Sequence, residues 1–280
     1  DYAKSNPDLK HVLLVGTSKA IPTFFIYDDV ENHYVPTDFY YSNIFSNQGI
    51  PDISIGRIPS PSTADLERVI TKIKASEPQK LKNILLFGNG AELDVYGKEH
   101  NNLLSPLGYN VIVKKETNNP DADLEATIDL MENCDAAIHY GHGNYWYMYP
   151  FEIMDKYKPK IAKIANNFIL MSGGCNTMEF TNNEVPDNDI GYFFLKNRGS
   201  SMASIGATKS GGYGYDYSFV PGFFSQPNAK ELGDFFLNGI LHESKLDEWA
   251  KKNDPIYAGG IMEFSKRAVL LGDPALKVFQ

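Results

Sequence analysis

Two short glycine-containing motifs carry the side chains of this chain that are best suited to covalent chemistry. The first is Gly-His-Gly at residues 141–143, and in the second, residues 172–177, Cys175 follows two glycines. A thiolate is a strong nucleophile where it is partly exposed and electrostatically supported. An imidazole has a pKa near neutrality, which suits a general base. His142 and Cys175 together would therefore allow a thiolate to attack a carbonyl carbon.

Each motif follows an apolar run that predicts a buried β-strand. These runs, residues 135–140 and 167–172, are continuous, as is typical of parallel strands covered on both faces. Ligands bind at the carboxyl ends of strands in open α/β sheets. If these two strands are neighbours, their ends lie about 5 Å apart and His142 can reach Cys175. The backbone N–H groups of Gly143 and Cys175 would then form an oxyanion hole.

Other interpretations of the same residues stay open. His142 also fits a polar loop histidine between turn glycines. His139, His142 and Cys175, with His100 or an acid as a fourth ligand, are potential zinc ligands. Cys134, between a predicted helix and a predicted strand, is typical of a small buried hydrophobic residue. Two cysteines do not build a disulfide framework.

Two further segments follow predicted strands. The sequence Gly-Asn-Gly-Ala-Glu at residues 88–92 lacks the third glycine of a dinucleotide fingerprint and the Lys-Ser or Lys-Thr of a P-loop. This segment and the residues after it instead provide two carboxylates, Glu92 and Asp94. Both lie on the same rim as His142, where a carboxylate could orient the imidazole. Solvated loop acids are the alternative. The tyrosine- and glycine-rich residues 211–217 predict the walls of a side-chain pocket, with surface packing or an interface as the alternative.

The order of predicted elements indicates an α/β fold with a mostly parallel sheet. Strands are predicted at residues 11–16, 52–57, 83–88, 110–113, 135–140, 167–172 and 201–206, and helices at residues 63–74, 97–107, 124–133, 229–241 and around Met262. Ser62-Thr63 is the expected cap of the first helix. A final apolar run spans residues 268–274, and the polar residues 76–80 are the best internal boundary.

Composition narrows the class of protein. The 280 residues are 42% hydrophobic and 22% charged, as in ordinary globular proteins. A net charge of −9 argues against a nucleic-acid partner, which would require clustered Lys and Arg. No apolar run approaches the roughly 18 residues of a membrane-spanning helix. The chain starts at Asp1 with neither a Met nor a signal peptide, which predicts a piece of a longer precursor with flanking domains.

Taken in order, the motifs resemble those of the gingipain family of cysteine peptidases, within the caspase-like clan. The likeness covers most of the chain. The matching segments are residues 12–16 with Ile21-Pro22, Thr37–Tyr40, Ile53–Arg57, Gly141–Gly143, Gly174–Asn176 and Gly272–Leu276.

The resemblance implies a fold and a mechanism. A caspase-like, mostly parallel sheet flanked by helices would span residues 81–280, after a smaller α/β subdomain at residues 1–80 that is truncated at its start. Cys175 would be the nucleophile and His142 the base in a cysteine endopeptidase that passes through a thioester acyl-enzyme. Glu92 falls where the family places the acid that contacts the histidine.

The resemblance also places residues at the substrate pocket. Tyr213 falls near an aromatic wall of the family's S1 pocket. The family's best-known members hold a basic P1 side chain with an Asp whose nearest match here is Tyr96. Asp94 or Asp216 could serve a Lys or Arg instead, and the net charge of −9 suits cationic substrates. Gly174, where relatives often have Ala, alters the local pocket.

Further expectations follow from the resemblance. The chemistry requires no cofactor, and structural calcium is expected at carboxylate-rich loops whose residues are not assigned. The substrate is a peptide or protein, and the protein is secreted or on the cell surface. Alternatives are a sortase-like transpeptidase with the same dyad and a non-catalytic binding module on the same fold.

Overall fold

The computed structural model describes residues 5–28, 32–45, 50–117, 119–152, 157–181, 189–197, 200–209, 218–226, 228–253 and 266–279. Within these residues the strands are β1 His11–Val15, β2 Phe24–Asp28, β3 His33–Thr37, β4 Ser54–Ile58, β5 Gln79–Lys80, β6 Asn83–Gly88, β7 Asn110–Lys115, β8 Ala136–Tyr140, β9 Gly143–Asn144, β10 Tyr147–Met148, β11 Phe151–Glu152, β12 Phe168–Ser172, β13 Ser201–Ala207, β14 Ala268–Leu271 and β15 Val278–Phe279.

The α-helices are α1 Phe39–Ser42, α2 Thr63–Ala75, α3 Gly90–Glu92, α4 Lys98–Leu104, α5 Pro120–Met131, α6 Lys158–Ile161, α7 Ile190–Lys196, α8 Val220–Phe224 and α9 Leu232–Asn253. A π-helix at Leu93–Gly97 joins α3 to α4, and a 3₁₀ turn follows at Ser105–Leu107. As expected, the Ser62 hydroxyl caps α2 by accepting from the Asp65 N–H.

Eight strands form one sheet in the order β1-β4-β14-β13-β12-β8-β6-β7. All neighbours are parallel except β13 and β14, which run antiparallel. The predicted α/β class with a mostly parallel sheet is therefore confirmed. No break in this sheet separates β1 and β4 from the later strands, and the division at residue 80 stays a prediction.

Hydrophobic layers cover both faces of the sheet. Along β6, Ile84 and Leu86 belong to one buried cluster, whereas Leu85 and Phe87 belong to a second cluster on the opposite face. Every residue of β8 and β12 is buried. This burial explains why the two central strands read as continuous apolar runs, and it fixes the points at which the chain leaves the sheet.

Several elements differ from the sequence expectations. The helix expected from residue 97 already begins at Gly90. Asn119 caps α5 with Pro120 in its first turn, so that helix starts four residues before the expected residue 124. The hairpin β2–β3 and the small sheet β11-β10-β9 were not expected. The segment around Met262 lies outside the described residues. In the part of the chain that is described, no helix is long and apolar enough to cross a membrane.

Candidate active site

The register of the two central strands sets the positions of His142 and Cys175. β8 and β12 are parallel neighbours, and Ser172 pairs with His139. His142 and Cys175 each follow three residues after this pair. The Gly173 N–H donates to the His139 carbonyl at 3.0 Å, which extends the pairing beyond the strands. The expected adjacency of the fifth and sixth predicted strands is therefore confirmed.

Glycines let the two loops touch through their backbones. A Cβ built on Gly174 would lie 2.9 Å from the Gly143 Cα and 3.0 Å from the Gly143 N. A Cβ on Gly143 would lie 3.0 Å from the Cys175 carbonyl oxygen and 2.5 Å from the Thr177 methyl. Real Cβ atoms do not come so close without displacing a neighbour. The His142 and Cys175 loops therefore meet only because both contact positions lack side chains.

The two cysteines have different environments, and neither is in a disulfide. Cys175 is half-buried, whereas His142 is exposed. Cys134 is 1% exposed, and burial, followed by the nearby charge of Asp135, raises the pKa of its thiol far above the ordinary value. Cys134 is thus the structural thiol that its sequence position indicated.

His139 lies beneath the two loops and is completely buried. Burial, with a smaller effect of the His142 charge, lowers its pKa to about 3, so its imidazole is neutral. Its Nδ1 lies 3.1 Å from the Ser172 hydroxyl oxygen, which also accepts from the Gly174 N–H at 3.2 Å. His100, the other histidine considered as a ligand, hydrogen-bonds to Tyr140 inside the core.

The residues considered as an alternative zinc site do not converge. Among the described residues, one group of side chains has metal-ligating atoms close together, and it consists of His11, Glu231 and Asp234. The His11 Nε2 lies 2.8 Å from Glu231, whose other oxygen pairs with Lys277. Calcium prefers six to eight oxygen ligands, so these residues do not fit the calcium that the resemblance implies.

Glu92 is half-buried in α3, just beyond the end of β6. The Asn89 side chain caps this short helix by accepting from the N–H groups of Ala91 and Glu92. Burial is the main cause that raises the pKa of Glu92, the charge of His142 opposes it, and Glu116 raises it further. The structure therefore brings Glu92 within electrostatic range of His142. The π-helix that follows is a form often found at functional sites.

Two acids that the sequence interpretation missed, Glu116 and Glu152, form an acidic wall near Tyr147. Glu116 places this wall next to Glu92. Glu116 follows β7, and its carboxylate accepts from the Gly90 N–H at 3.4 Å. Burial, then Glu152 and Glu116, raises the pKa of Tyr147, so both acids lie near that phenol. Glu116 lies three residues after the predicted strand 110–113, so the strand-end rule could have found it. Tyr147 and Glu152 lie in the small sheet and carry no comparable signal.

The remaining predicted pocket residues are placed less centrally or not at all. Asp94 is exposed and pairs with Lys115. Tyr96 is half-buried and packs against the hydrophobic core. Tyr213 and Asp216 lie outside the described residues, so their predicted roles stay predictions.

The start of α7 holds both loops. The Ile190 N–H donates to the Tyr145 carbonyl at 2.6 Å, which anchors the segment after His142. The next amide, that of Gly191, donates to the Thr177 carbonyl at 3.1 Å, which anchors the segment after Cys175. One helix start is therefore bonded to both sides of the candidate site.

Comparison with known proteins gives a consistent picture. The sequence model of peptidase family C25 matches residues 1–279. The crystal structure of the Arg-specific cysteine proteinase gingipain R superposes with a TM-score of 0.76 and 18% identity, covering 99% of this chain and 66% of that chain. The complex of gingipain pro- and mature domains from Porphyromonas gingivalis gives a TM-score of 0.76 and 19% identity, covering 98% and 67%.

A more distant match is the separase–securin complex of Saccharomyces cerevisiae. It has a TM-score of 0.51 and 13% identity over 82% of this chain and 14% of that chain. The present chain thus spans about two thirds of the length of the gingipain chains that it matches. No curated protein sequence matches it.

Proposed function

The chain belongs to peptidase family C25, the gingipain family of cysteine peptidases, and we propose that it hydrolyses peptide bonds through a Cys175–His142 dyad. The observation that carries the proposal is the register of β8 and β12, which leads both residues out of the sheet at the same level. The exposure of His142 and the half-burial of Cys175 leave both side chains accessible to a substrate.

The proposed reaction has two halves. The His142 imidazole takes the Cys175 thiol proton, and the thiolate sulfur attacks the substrate carbonyl carbon. N–H groups of Gly143 and Cys175 stabilise the oxyanion of the tetrahedral intermediate. The C–N bond then breaks, His142 protonates the leaving amine, and a thioester remains. Water, deprotonated by His142, hydrolyses this thioester to release the acid and restore the thiol.

The acidic wall supports a preference for a basic P1 residue. Glu116 and Glu152 both lie close enough to Tyr147 to raise its pKa, and Glu116 also acts on Glu92. A Lys or Arg side chain entering this region would meet the negative charges of these two carboxylates. Asp94, by contrast, is already paired with Lys115. We therefore assign the P1 charge preference to Glu116 and Glu152 rather than to Asp94.

The test of function and P1 preference is cleavage of a diverse peptide mixture, read by mass spectrometry, with reductant and calcium present. We expect cuts after Arg or Lys. Cuts spread over other residues would overturn the P1 proposal but would still support peptide-bond hydrolysis. Amide products formed with an added amine, in place of acids, would identify a transpeptidase. Intact peptides in every condition would contradict the proposed activity.

The charge state of Glu92 gives a pH-dependent prediction. As an ionised carboxylate, Glu92 orients the His142 imidazole, so activity falls as the pH drops through the pKa of Glu92. Burial is the main cause that raises this pKa, and the charge of Glu116 raises it further. Glu116→Gln removes this cause, lowers the pKa of Glu92 and should move the acidic limb of the kcat/KM profile to lower pH.

The control for this prediction is Glu125→Gln, which removes an exposed acid on α5 that pairs with Lys160. Its pH profile should match that of the unchanged protein. An acidic limb that stays in place in Glu116→Gln would show that Glu92 does not set it. A lower kcat/KM at all pH values reports loss of P1 binding and is separable from a shift of the limb.

Three proposals rest on family membership alone: secretion or display at the cell surface, structural calcium, and flanking domains of a longer precursor. The proposed chemistry uses the Cys175 and His142 side chains and backbone N–H groups, and it needs no cofactor.

A further inference from the structure

The sequence motifs outside the dyad converge on one buried side chain, Arg57. This residue is 1% exposed at the end of β4. Its Nε and Nη2 donate to the two carboxylate oxygens of Asp38 at 2.6 and 2.8 Å. Its Nη1 donates to the carbonyl oxygens of Gly16 and Ile21 at 2.9 and 3.1 Å. The guanidinium plane is therefore held along its edges by four hydrogen bonds.

The backbone of Arg57 is fixed as well. Its carbonyl accepts from the Gly272 N–H at 2.8 Å, which joins β4 to the residue after β14. A Cβ on Gly56 would collide with the Gly272 carbonyl and lie 2.6 Å from a ring carbon of Pro274. The Ile-Gly-Arg and Gly-Asp-Pro motifs thus pack against each other so closely that position 56 must be glycine.

One face of the guanidinium lies against the segment that carries the nucleophile. The Arg57 Cζ is 4.8 Å from the ring centroid of Phe180, within the range of a cation–π contact. Phe180 is 5% exposed and follows Cys175 by five residues. Between them, the N–H groups of Asn176 and Met178 donate to the carbonyls of Lys209 and Ala207 at 2.9 and 3.1 Å.

We propose that Arg57 is a positioning residue for Cys175 and acts through the Phe180 ring. The clamp formed by Asp38 and two carbonyls holds the guanidinium in place, and the Phe180 ring packed against it fixes the segment that follows Cys175. A lysine could not replace it, because an ammonium has no plane to stack and no fork to bind both carboxylate oxygens. This inference rests on the proposed nucleophilic role of Cys175.

The first test is Phe180→Leu, which removes the ring and leaves the Arg57–Asp38 clamp in place. We expect kcat to fall about 10-fold to 100-fold with KM within about twofold, because small misplacements of a reacting group have effects of this size. The rate of Cys175 alkylation by iodoacetamide should fall in parallel. Phe180→Tyr keeps the ring and should retain near-normal kcat and alkylation.

Arg57→Lys provides the second test, since it keeps the charge and removes the plane. It should reproduce the kcat loss of Phe180→Leu, and combining the two changes should add little. Phe224→Leu is the matched control, because Phe224 is 1% exposed and contacts Tyr109 in the cluster on the opposite face from Phe180. It should lower the Tm and leave kcat and alkylation unchanged.

The proposal is overturned if Phe180→Leu and Phe224→Leu lose kcat and alkylation rate equally at a similar loss of Tm. It is also overturned if Arg57→Lys leaves both rates unchanged. Alkylation of Cys175 does not depend on peptidase activity. A failure of the proposed function would therefore appear as full cleavage by Cys175→Ala, whereas a failure of this inference would appear as unchanged alkylation.

Discussion

Replacing Cys175 with alanine should reduce peptide hydrolysis by at least about 10⁴-fold, because the thiolate forms the acyl-enzyme and no neighbouring group can substitute for it. The fold should persist, since a half-buried sulfur at a loop makes little contribution to the core. The measurement is kcat/KM on the best peptide from the mixture, together with a thermal melt. Residual activity then reports only binding and the oxyanion donors.

The matched control for that change is Cys134→Ala. Cys134 is 1% exposed, and its pKa is raised by burial, so it behaves as a hydrophobic side chain. Its replacement should lower the Tm and leave kcat/KM within about twofold. If Cys175→Ala cleaves as well as Cys134→Ala does, the thiol mechanism is excluded.

Replacing His142 with alanine should produce the second largest loss, about 10²-fold to 10⁴-fold, which is the usual contribution of a general base. The loss arises because this variant lacks the proposed base for the Cys175 thiol and the proposed acid for the leaving amine. His139 cannot take over, since it is completely buried, the low pKa that results from this burial makes it a weak proton acceptor, and its Nδ1 lies against the Ser172 hydroxyl. The measurement is single-turnover acylation, which isolates the step in which His142 first acts.

The control for His142 is His242→Ala, a half-buried histidine on α9. It should keep acylation within about twofold. If His142→Ala also keeps the acylation rate within about twofold while Cys175→Ala is inactive, a group other than His142 takes the thiol proton.

The central strands were predictable because burial on both faces produces a continuous run of apolar residues. β6 matches its predicted residues, and β8 and β12 differ by one residue at their starts. The hairpin β2–β3 gave no such pattern, because Phe24 and Phe25 point to opposite faces of a strand and are both exposed. The reversed direction of β14 depends on its long-range pairing with β13, which local periodicity does not contain.

The candidate site was predictable to the extent that it follows from strand ends. His142 and Cys175 leave neighbouring strands, so finding both ends was enough. Glu116 was missed because its importance depends on the order of strands, in which β6 separates β7 from β8. Asp94 was expected at the pocket, but it pairs with Lys115, a contact between separate segments that sequence spacing does not reveal.

The two hydrogen bonds at the start of α7 have a mechanical consequence. Ile190 and Gly191 are consecutive residues in the first turn of α7, so the anchors of the two loops belong to the same helix. A shift of α7 would therefore act on the segment after His142 and on the segment after Cys175 together. A side chain at Gly191 would displace neighbouring residues, because its Cβ would collide with the Met178 sulfur and lie 2.9 Å from the Thr177 carbonyl. It would displace the segment after Cys175 and leave the segment after His142 in place.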